Sequence, residues 1–130
     1  MTILAPFKAL TVRFPQLLNG TAHSAVADED IYSLIKILLL SVAVDDAFYR
    51  EKYPDVSAAI DAGDYESPRD HFIRHGYFEG RIPSRLSIDQ DWYIKNYDDV
   101  LLGIENGDIV SAEDHFNLHG YQEGRLPAKP

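Results

Sequence analysis

The chain has 130 residues, 45% hydrophobic and 25% charged, which is enough for one compact domain with a modest core. Its formal net charge of -9 at pH 7 disfavours nucleic-acid phosphates and anionic lipid surfaces, because both require clustered lysine and arginine. The absence of cysteine excludes disulfides, thiolate zinc sites and cysteine nucleophiles.

The first 43 residues precede any repeated motif. Lys8 and Arg13 are accompanied by Pro6 and Pro15, with no compact apolar core and no small-residue cleavage site. We therefore expect no signal peptide and a cytoplasmic protein, the surface of a larger particle being the alternative. Residues 1–26 predict one short helix followed by a loop.

An amphipathic stretch follows, from Ile31 to Val44. Acidic residues at 28–30 favour a helix start, and five apolar residues share one face: Ile31, Leu34, Ile35, Leu38 and Leu39. The stretch is shorter than the roughly 20 residues of a membrane span. It predicts a buried helix, which we expect to pack across both of the repeats described next.

Residues 44–83 (copy 1) align with residues 88–127 (copy 2) at a constant offset of 44, with 19 identities in 40 positions and no gap. The densest shared block reads Asp-His-Phe-x-x-His-Gly-Tyr-x-Glu-Gly-Arg-x-Pro. The sequence predicts one compact all-α domain. An N-terminal segment and helix (1–43) would precede two pseudo-symmetric repeats of short helices (44–87 and 88–130) around one core.

The first half of each copy predicts a helical stripe that faces the core. Its apolar identities are spaced four, three and four residues apart: Tyr49, Tyr53, Val56 and Ile60, with Tyr93, Tyr97, Val100 and Ile104. Asp45 and Asp89 are predicted N-caps, and Gly63 and Gly107 are predicted left-handed ends. Pro54 predicts a break in copy 1, whereas copy 2 lacks this proline.

A second helix is predicted in each copy. Ser67 followed by Pro68 is a typical start, because serine can cap the helix and proline suits its first position. Ser111 opens the equivalent helix in copy 2. Gly76 and Gly120 are predicted to stop these helices before the Glu-Gly-Arg turns.

Two histidine pairs have the spacing that can present two imidazoles to one metal ion: His71 with His75, and His115 with His119. Neither pair has evident further ligands. His75 and His119 also fall in a last helical turn, where a cation suits the helix dipole. We favour packing and capping roles over a metal site, and we expect no cofactor.

Arg81 and Arg125 lie in the Glu-Gly-Arg turns and could present a guanidinium to a carboxylate, a phosphate or a sugar hydroxyl. The alternative is an internal pair of Arg81 with Asp55, repeated by Arg125 with Asp99. We favour the internal pairs, because turns between short helices must be held in place.

Most of the repeated aromatic residues are expected in the core. A tyrosine or tryptophan that keeps part of its ring exposed combines an apolar face with a polar edge, which suits a sugar ring. The candidates for such stacking are Trp92, Tyr77 and Tyr121.

The sequence offers many carboxylates but no nucleophile elbow, no phosphate-binding glycine loop and no unique acid–base pair. Duplicated motifs without such a constellation are typical of scaffolds. We therefore expect a protein that is not an enzyme.

Several motifs together resemble a known bacterial tandem repeat. They are Phe48-Tyr49, Tyr53-Pro54-Asp55-Val56, Asp70-His71-Phe72, His75-Gly76 and Glu79-Gly80-Arg81, with their counterparts in copy 2. The repeat reads roughly Trp-Tyr-Leu-x-x-Tyr-Pro-Asp-Val, then His-Tyr-x-x-x-Gly-x-x-Glu-Gly-Arg. Such repeats are found beside glycosyltransferase domains and in surface-polysaccharide proteins. The resemblance covers about 80 of the 130 residues and implies a polysaccharide context.

The leading prediction is a non-catalytic polysaccharide-associated binding module. It would bind bacterial glycan, such as capsule or exopolysaccharide, or serve a polysaccharide-biosynthesis protein. The alternative is a protein–protein adaptor or a structural subunit of a larger assembly, with the N-terminal segment and exposed apolar residues as its contact surface. Neither nucleic acid nor membrane insertion is expected.

Overall fold

The computed structural model describes residues 5–13 and 28–130, and within these ranges the chain is all-α, without a strand. In the described part of the chain, two helices precede the repeats, α1 (Phe7–Arg13) and α2 (Asp28–Leu39). The predicted short helix near the start is confirmed, whereas the loop predicted after it lies outside the described residues. No helix in the described ranges is both long and apolar enough to cross a membrane.

The first four elements follow the same order in both copies, and copy 2 has one further short helix. Copy 1 contains α3 (Asp46–Lys52), α4 (Pro54–Asp61), α5 (Pro68–His71) and a π-helical turn (Phe72–Gly76). Copy 2 contains α6 (Gln90–Asn96), α7 (Asp98–Glu105), α8 (Ala112–His115), a π-helical turn (Phe116–Gly120) and α9 (Tyr121–Glu123).

Local side-chain chemistry sets the predicted helix boundaries. The four predicted N-caps each accept a hydrogen bond from the amide three residues on, at 2.9, 3.1, 3.0 and 3.1 Å: Asp45, Ser67, Asp89 and Ser111. Gly63 and Gly107 have φ of 89° and 81°, a region that favours glycine. These predictions are confirmed.

Both copies break between their first two helices at a tyrosine, although only copy 1 has a proline there. Tyr53 has φ -124° and ψ 76°, and Tyr97 has φ -132° and ψ 84°, so neither residue is helical. Their hydroxyls accept hydrogen bonds from the backbone amides of Ile82 and Leu126, each at 2.9 Å. This side-chain contact recurs in both copies, which explains why the break does not depend on Pro54.

The buried side chains form two clusters rather than the single core predicted. The first contains Ile35, Leu39, Val42, Tyr49, Val56, Phe72 and Tyr77. The second contains Ile82, Leu86, Tyr93, Val100, Ala112, Phe116 and Tyr121. Phe48 of copy 1 packs against the second cluster, so the copies share a packed junction.

Helix α2 buries a narrower face than predicted. Ile35 and Leu39 are buried, whereas Leu34 and Leu38 are 57% and 48% exposed. The buried residues of α2 belong to the first cluster, rather than spanning both copies as predicted. The residues that face the core are spaced four apart from Ile31, and the exposed leucines lie beside that stripe.

The helical run of copy 1 ends at Gly76, as predicted, whereas in copy 2 a helix continues past Gly120. The left-handed glycines of this region are Gly80 and Gly124, with φ of 75° and 82°, and the chain passes through Gly76 without a positive φ. A methyl group on Gly76 would lie 2.1 Å from the hydroxyl oxygen of Tyr49, and Gly120 has the equivalent neighbour at 2.2 Å. The close approach of a tyrosine hydroxyl to the backbone therefore requires glycine at positions 76 and 120.

We expect Gly76→Ala to lower the free energy of unfolding by about 1 to 3 kcal/mol, because overpacking forces the neighbouring groups apart. Tyr49→Phe removes the oxygen that the new methyl group would meet. The double variant should therefore lose less stability than the sum of the two single variants. Urea unfolding of the four proteins measures this coupling, and strictly additive losses would contradict the close approach.

Candidate functional site at the junction of the two copies

The Glu-Gly-Arg turn of copy 1 is tied back to helix α4. Arg81 donates to the two carboxylate oxygens of Asp55 at 3.1 and 2.8 Å and to Glu79 at 2.7 Å. The guanidinium carbon also lies 4.8 Å from the ring centre of Tyr53, whose hydroxyl accepts the amide of Ile82 at 2.9 Å. The favoured prediction of an internal Arg81–Asp55 pair is confirmed.

Copy 2 repeats this arrangement with matching geometry. Arg125 donates to Asp99 at 2.8 and 2.6 Å and to Glu123 at 2.7 Å, and it lies 4.8 Å from the ring centre of Tyr97. The hydrogen bond from the arginine lowers the pKa of Asp55 in copy 1 and of Asp99 in copy 2. Each guanidinium is thus engaged inside its own copy, which leaves less of it for a ligand.

His71 and His115 are buried against tyrosine hydroxyls. The Tyr49 hydroxyl lies 2.9 Å from Nδ1 of His71, and the Tyr93 hydroxyl lies 3.1 Å from Nδ1 of His115. Burial lowers the pKa of both histidines, so both are neutral at pH 7. They pack the core and hold the tyrosines against the glycines.

The second histidine of each pair lies on the surface. The rings of His75 and His119 are exposed, with centres 6.2 and 5.8 Å from those of His71 and His115. Among the residues that the structure describes, no three His, Asp or Glu side chains gather into a set that could hold a metal ion. The histidine pairs therefore do not extend into a larger ligand cluster in these ranges.

The three aromatic candidates differ in exposure. Tyr77 and Tyr121 are only 1% and 3% exposed, so neither presents the open ring face that sugar stacking needs. Phe7 packs edge-on to Tyr77 at 6.0 Å, and α1 thereby covers part of copy 1. Trp92 is half-buried beside Tyr97, with ring centres 6.2 Å apart, and keeps part of its surface open.

Polar contacts join the two copies. Oδ1 of Asn117 accepts a hydrogen bond from the backbone N–H of Leu86 at 2.7 Å, and Nδ2 of Asn117 donates to the backbone carbonyl of Leu86 at 2.7 Å. Arg85 donates to Asp114 at 2.6 Å. The linker between the copies is therefore held directly on copy 2, and the relative position of their facing surfaces depends on these contacts.

A cleft of about 550 Å³ lies between these facing surfaces. It is lined by Lys52, Tyr53, Glu79, Gly80, Arg81, Ile82, Asn117, Leu118, Tyr121 and Gln122. A second cavity of about 440 Å³ shares four of these residues and extends to Pro6, Phe7 and Lys8. The cleft thus brings together Arg81 and Tyr121 from the predicted set, whereas Trp92 and Arg125 are not among its lining residues.

Sequence reasoning missed Lys52, Leu118 and Gln122. None of the three belongs to the identities shared by the copies, and their meeting in one cleft depends on how the copies pack. A signal for them was nevertheless present. The copies diverge at several of these positions, with Phe78 opposite Gln122 in the alignment, and such divergence marks places where the two copies have different surroundings.

Burial of His71 and His115 predicts a pH dependence of stability. Since their folded-state pKa lies below the ordinary value of 6.5, the unfolded chain binds protons more readily as the pH falls. The stability that depends on neutral His71 and His115 is present in full above pH 6.5, and it is lost as the pH falls through their lowered pKa. We therefore expect the free energy of unfolding in urea to fall between about pH 7 and about pH 5.

The matched control replaces the exposed histidines. His75→Gln with His119→Gln should keep the slope of stability against pH, whereas His71→Gln with His115→Gln should flatten it. The comparison uses slopes, so the loss of stability caused by the substitutions themselves does not enter. Equal slopes in both double variants would contradict the assignment to the buried pair.

No family model, no curated protein and no solved structure matches this chain. The resemblance of its motifs to the polysaccharide-associated repeat therefore stays a prediction.

Proposed function

We propose that the chain is a non-catalytic polysaccharide-binding module and that the glycan lies in the cleft between the two copies. The observation that supports this most is the lining of the cleft, which combines aromatic, aliphatic, amide and charged side chains around about 550 Å³. Sites for small polar ligands have volumes of about 300 to 1,000 Å³ and a few placed polar groups. The motif resemblance favours a glycan as the ligand.

The side chains of the cleft suit a sugar. Tyr53 and Leu118 offer apolar surface for the C–H face of a ring, and Gln122 is exposed with its amide free to bond hydroxyls. Asn117 contributes less, because its amide is engaged with Leu86. Affinity at one such open site should be weak, since ordering the ligand offsets much of the gain.

A binding role is favoured over glycoside cleavage by the carboxylates of the cleft. Glycosidases place two carboxyl groups across the scissile bond, one of which must give up a proton. Within the described part of the chain, the cleft lining has a single carboxylate, Glu79, and Arg81 donates to it at 2.7 Å. The described lining therefore lacks the pair of carboxyl groups that glycoside cleavage uses.

Filling the cleft tests the proposal. Leu118 lines it and is 61% exposed, so Leu118→Trp should fold normally and occupy part of the space. Leu102→Trp on α7, at a residue 56% exposed, adds the same ring away from the cleft. Affinity electrophoresis against bacterial capsular and exopolysaccharides should show retardation of the wild type and of Leu102→Trp, and at least about tenfold weaker binding of Leu118→Trp.

Equal retardation of all three proteins would show that the glycan binds outside the cleft. If the wild type were retarded by none of the polysaccharides, direct glycan binding would be wrong. Unfolding midpoints of both variants close to that of the wild type are the control for their folding.

A second candidate, a protein–protein adaptor, is favoured by a specific surface. Helix α2 and the residue that follows it expose four apolar residues to 57%, 63%, 48% and 58%: Leu34, Ile37, Leu38 and Leu40. Contiguous apolar side chains of this kind are typical of contact surfaces. This surface is defined by these four residues.

Substitutions on α2 separate the two candidates. Leu34→Lys with Ile37→Lys should leave polysaccharide retardation unchanged if the cleft is the binding site. If the wild type instead binds no polysaccharide and co-purifies from its host with a polysaccharide-biosynthesis protein that this double variant fails to retain, the adaptor function replaces the glycan-binding one.

A further inference from the structure

Two equivalent tyrosines of the repeats have different hydrogen bonding. In copy 1, the hydroxyl of Tyr77 donates to the carbonyl oxygen of Ala5 at 2.5 Å. In copy 2, Tyr121 is 3% exposed, and in the described ranges no residue forms a hydrogen bond with its hydroxyl. Among the described residues, no side-chain oxygen without a hydrogen bond is fully closed to solvent, so this hydroxyl keeps some contact with solvent. Tyr121 lines both cavities.

The surroundings of the two tyrosines explain the difference. Copy 1 carries Ile73 and Phe78 beside Tyr77, and Phe7 packs on Phe78 with ring centres 5.0 Å apart. Copy 2 has Asn117 and Gln122 at the equivalent positions, and Gln122 is exposed. The apolar surface of copy 1 is covered by the chain itself, whereas the polar surface of copy 2 faces the cleft.

The hydroxyl of Tyr121 remains a hydrogen-bond donor at neutral pH. Burial raises its pKa, so the phenol stays protonated. A mostly buried donor with no protein acceptor can bond only to water in the free protein, and a ligand oxygen can replace that water. In copy 1 the equivalent hydroxyl, that of Tyr77, has such an acceptor in the carbonyl oxygen of Ala5.

The charge of the cleft differs from that of the whole chain. Its described lining residues include two cations, Lys52 and Arg81, and one carboxylate, Glu79, while the chain has a net charge of -9. Arg81 is engaged with Asp55 and Glu79. Lys52 is half-buried, with its ammonium 5.9 Å from the ring centre of Phe48, and forms no ion pair within the described ranges.

Resting on the proposed function, we propose that the cleft selects an acidic glycan: the Tyr121 hydroxyl donates to a sugar oxygen, and Lys52 pairs with the carboxylate of a uronic acid. An ammonium forms strong charge-assisted hydrogen bonds with anionic oxygens, and the carboxylate supplies these oxygens in a uronic acid. The remaining negative charge of the chain acts at longer range and is screened beyond about 8 Å at physiological salt.

The experiment uses the full chain and a panel of short uronate oligosaccharides, each paired with its own methyl ester, which has the same ring without the charge. Calorimetric titration should show binding of at least one acid and about tenfold weaker binding of its ester. Lys52→Gln should abolish that difference. Tyr121→Phe should weaken acid and ester alike by about tenfold without lowering the free energy of unfolding, because the lost hydroxyl has no protein partner.

Each variant has a control in the other copy. Tyr77→Phe should bind the acid as the wild type does but unfold more easily, because it loses the bond to Ala5. Lys95→Gln removes an exposed charge of helix α6 and should change neither property.

The outcomes distinguish this inference from the function on which it rests. Equal binding of acid and ester, or normal binding by Tyr121→Phe, would overturn the inference while a Leu118→Trp defect keeps the cleft as the glycan site. Binding of neutral polysaccharide alone would also overturn it. If no glycan of either kind binds, both the inference and the proposed function fall.

Discussion

The closure of each copy on itself is the constraint on which the rest of the structure depends. In copy 1 the carbonyl of Pro83 accepts a hydrogen bond from the backbone N–H of Asp45 at 3.0 Å. The Tyr53 hydroxyl accepts one from the backbone N–H of Ile82 at 2.9 Å. Arg81 adds its pair with Asp55. Exposed ion pairs contribute about 0 to 1 kcal/mol, so the partly buried hydrogen bonds of the tyrosine and the turn should matter more than the charge itself.

Closure also builds the cleft. Holding the turn places Glu79, Gly80 and Arg81 on one wall, and the bonds between Asn117 and Leu86 place copy 2 opposite. Phe48 packs into the second cluster and anchors the same junction. Neither copy alone has both walls of the cleft. A function located in the cleft would therefore require both copies, which gives a structural reason for the duplicated motif.

The sequence predicted what short-range chemistry determines. N-caps such as Asp45 and the left-handed Gly63 follow from local residue type and spacing, and the structure contains them. The Arg81–Asp55 pair spans 26 residues and was predicted because turns between short helices must be held in place. The sequence predicted poorly what depends on distant neighbours. The close approach of the Tyr49 hydroxyl to Gly76, 27 residues later, was not predicted. The exposure of Leu34 and the existence of the cleft depend on packing that no local pattern records.

Amide hydrogen exchange tests the closure most directly, because Ile82 and Leu126 donate to the tyrosine hydroxyls that close the two copies. The account predicts that both amides are protected in the wild type, although both follow exposed turns. In Tyr53→Phe, Ile82 should lose its protection while Leu126 keeps it. Exchange of both amides at the rate of an unstructured chain in the wild type would contradict closure of the copies.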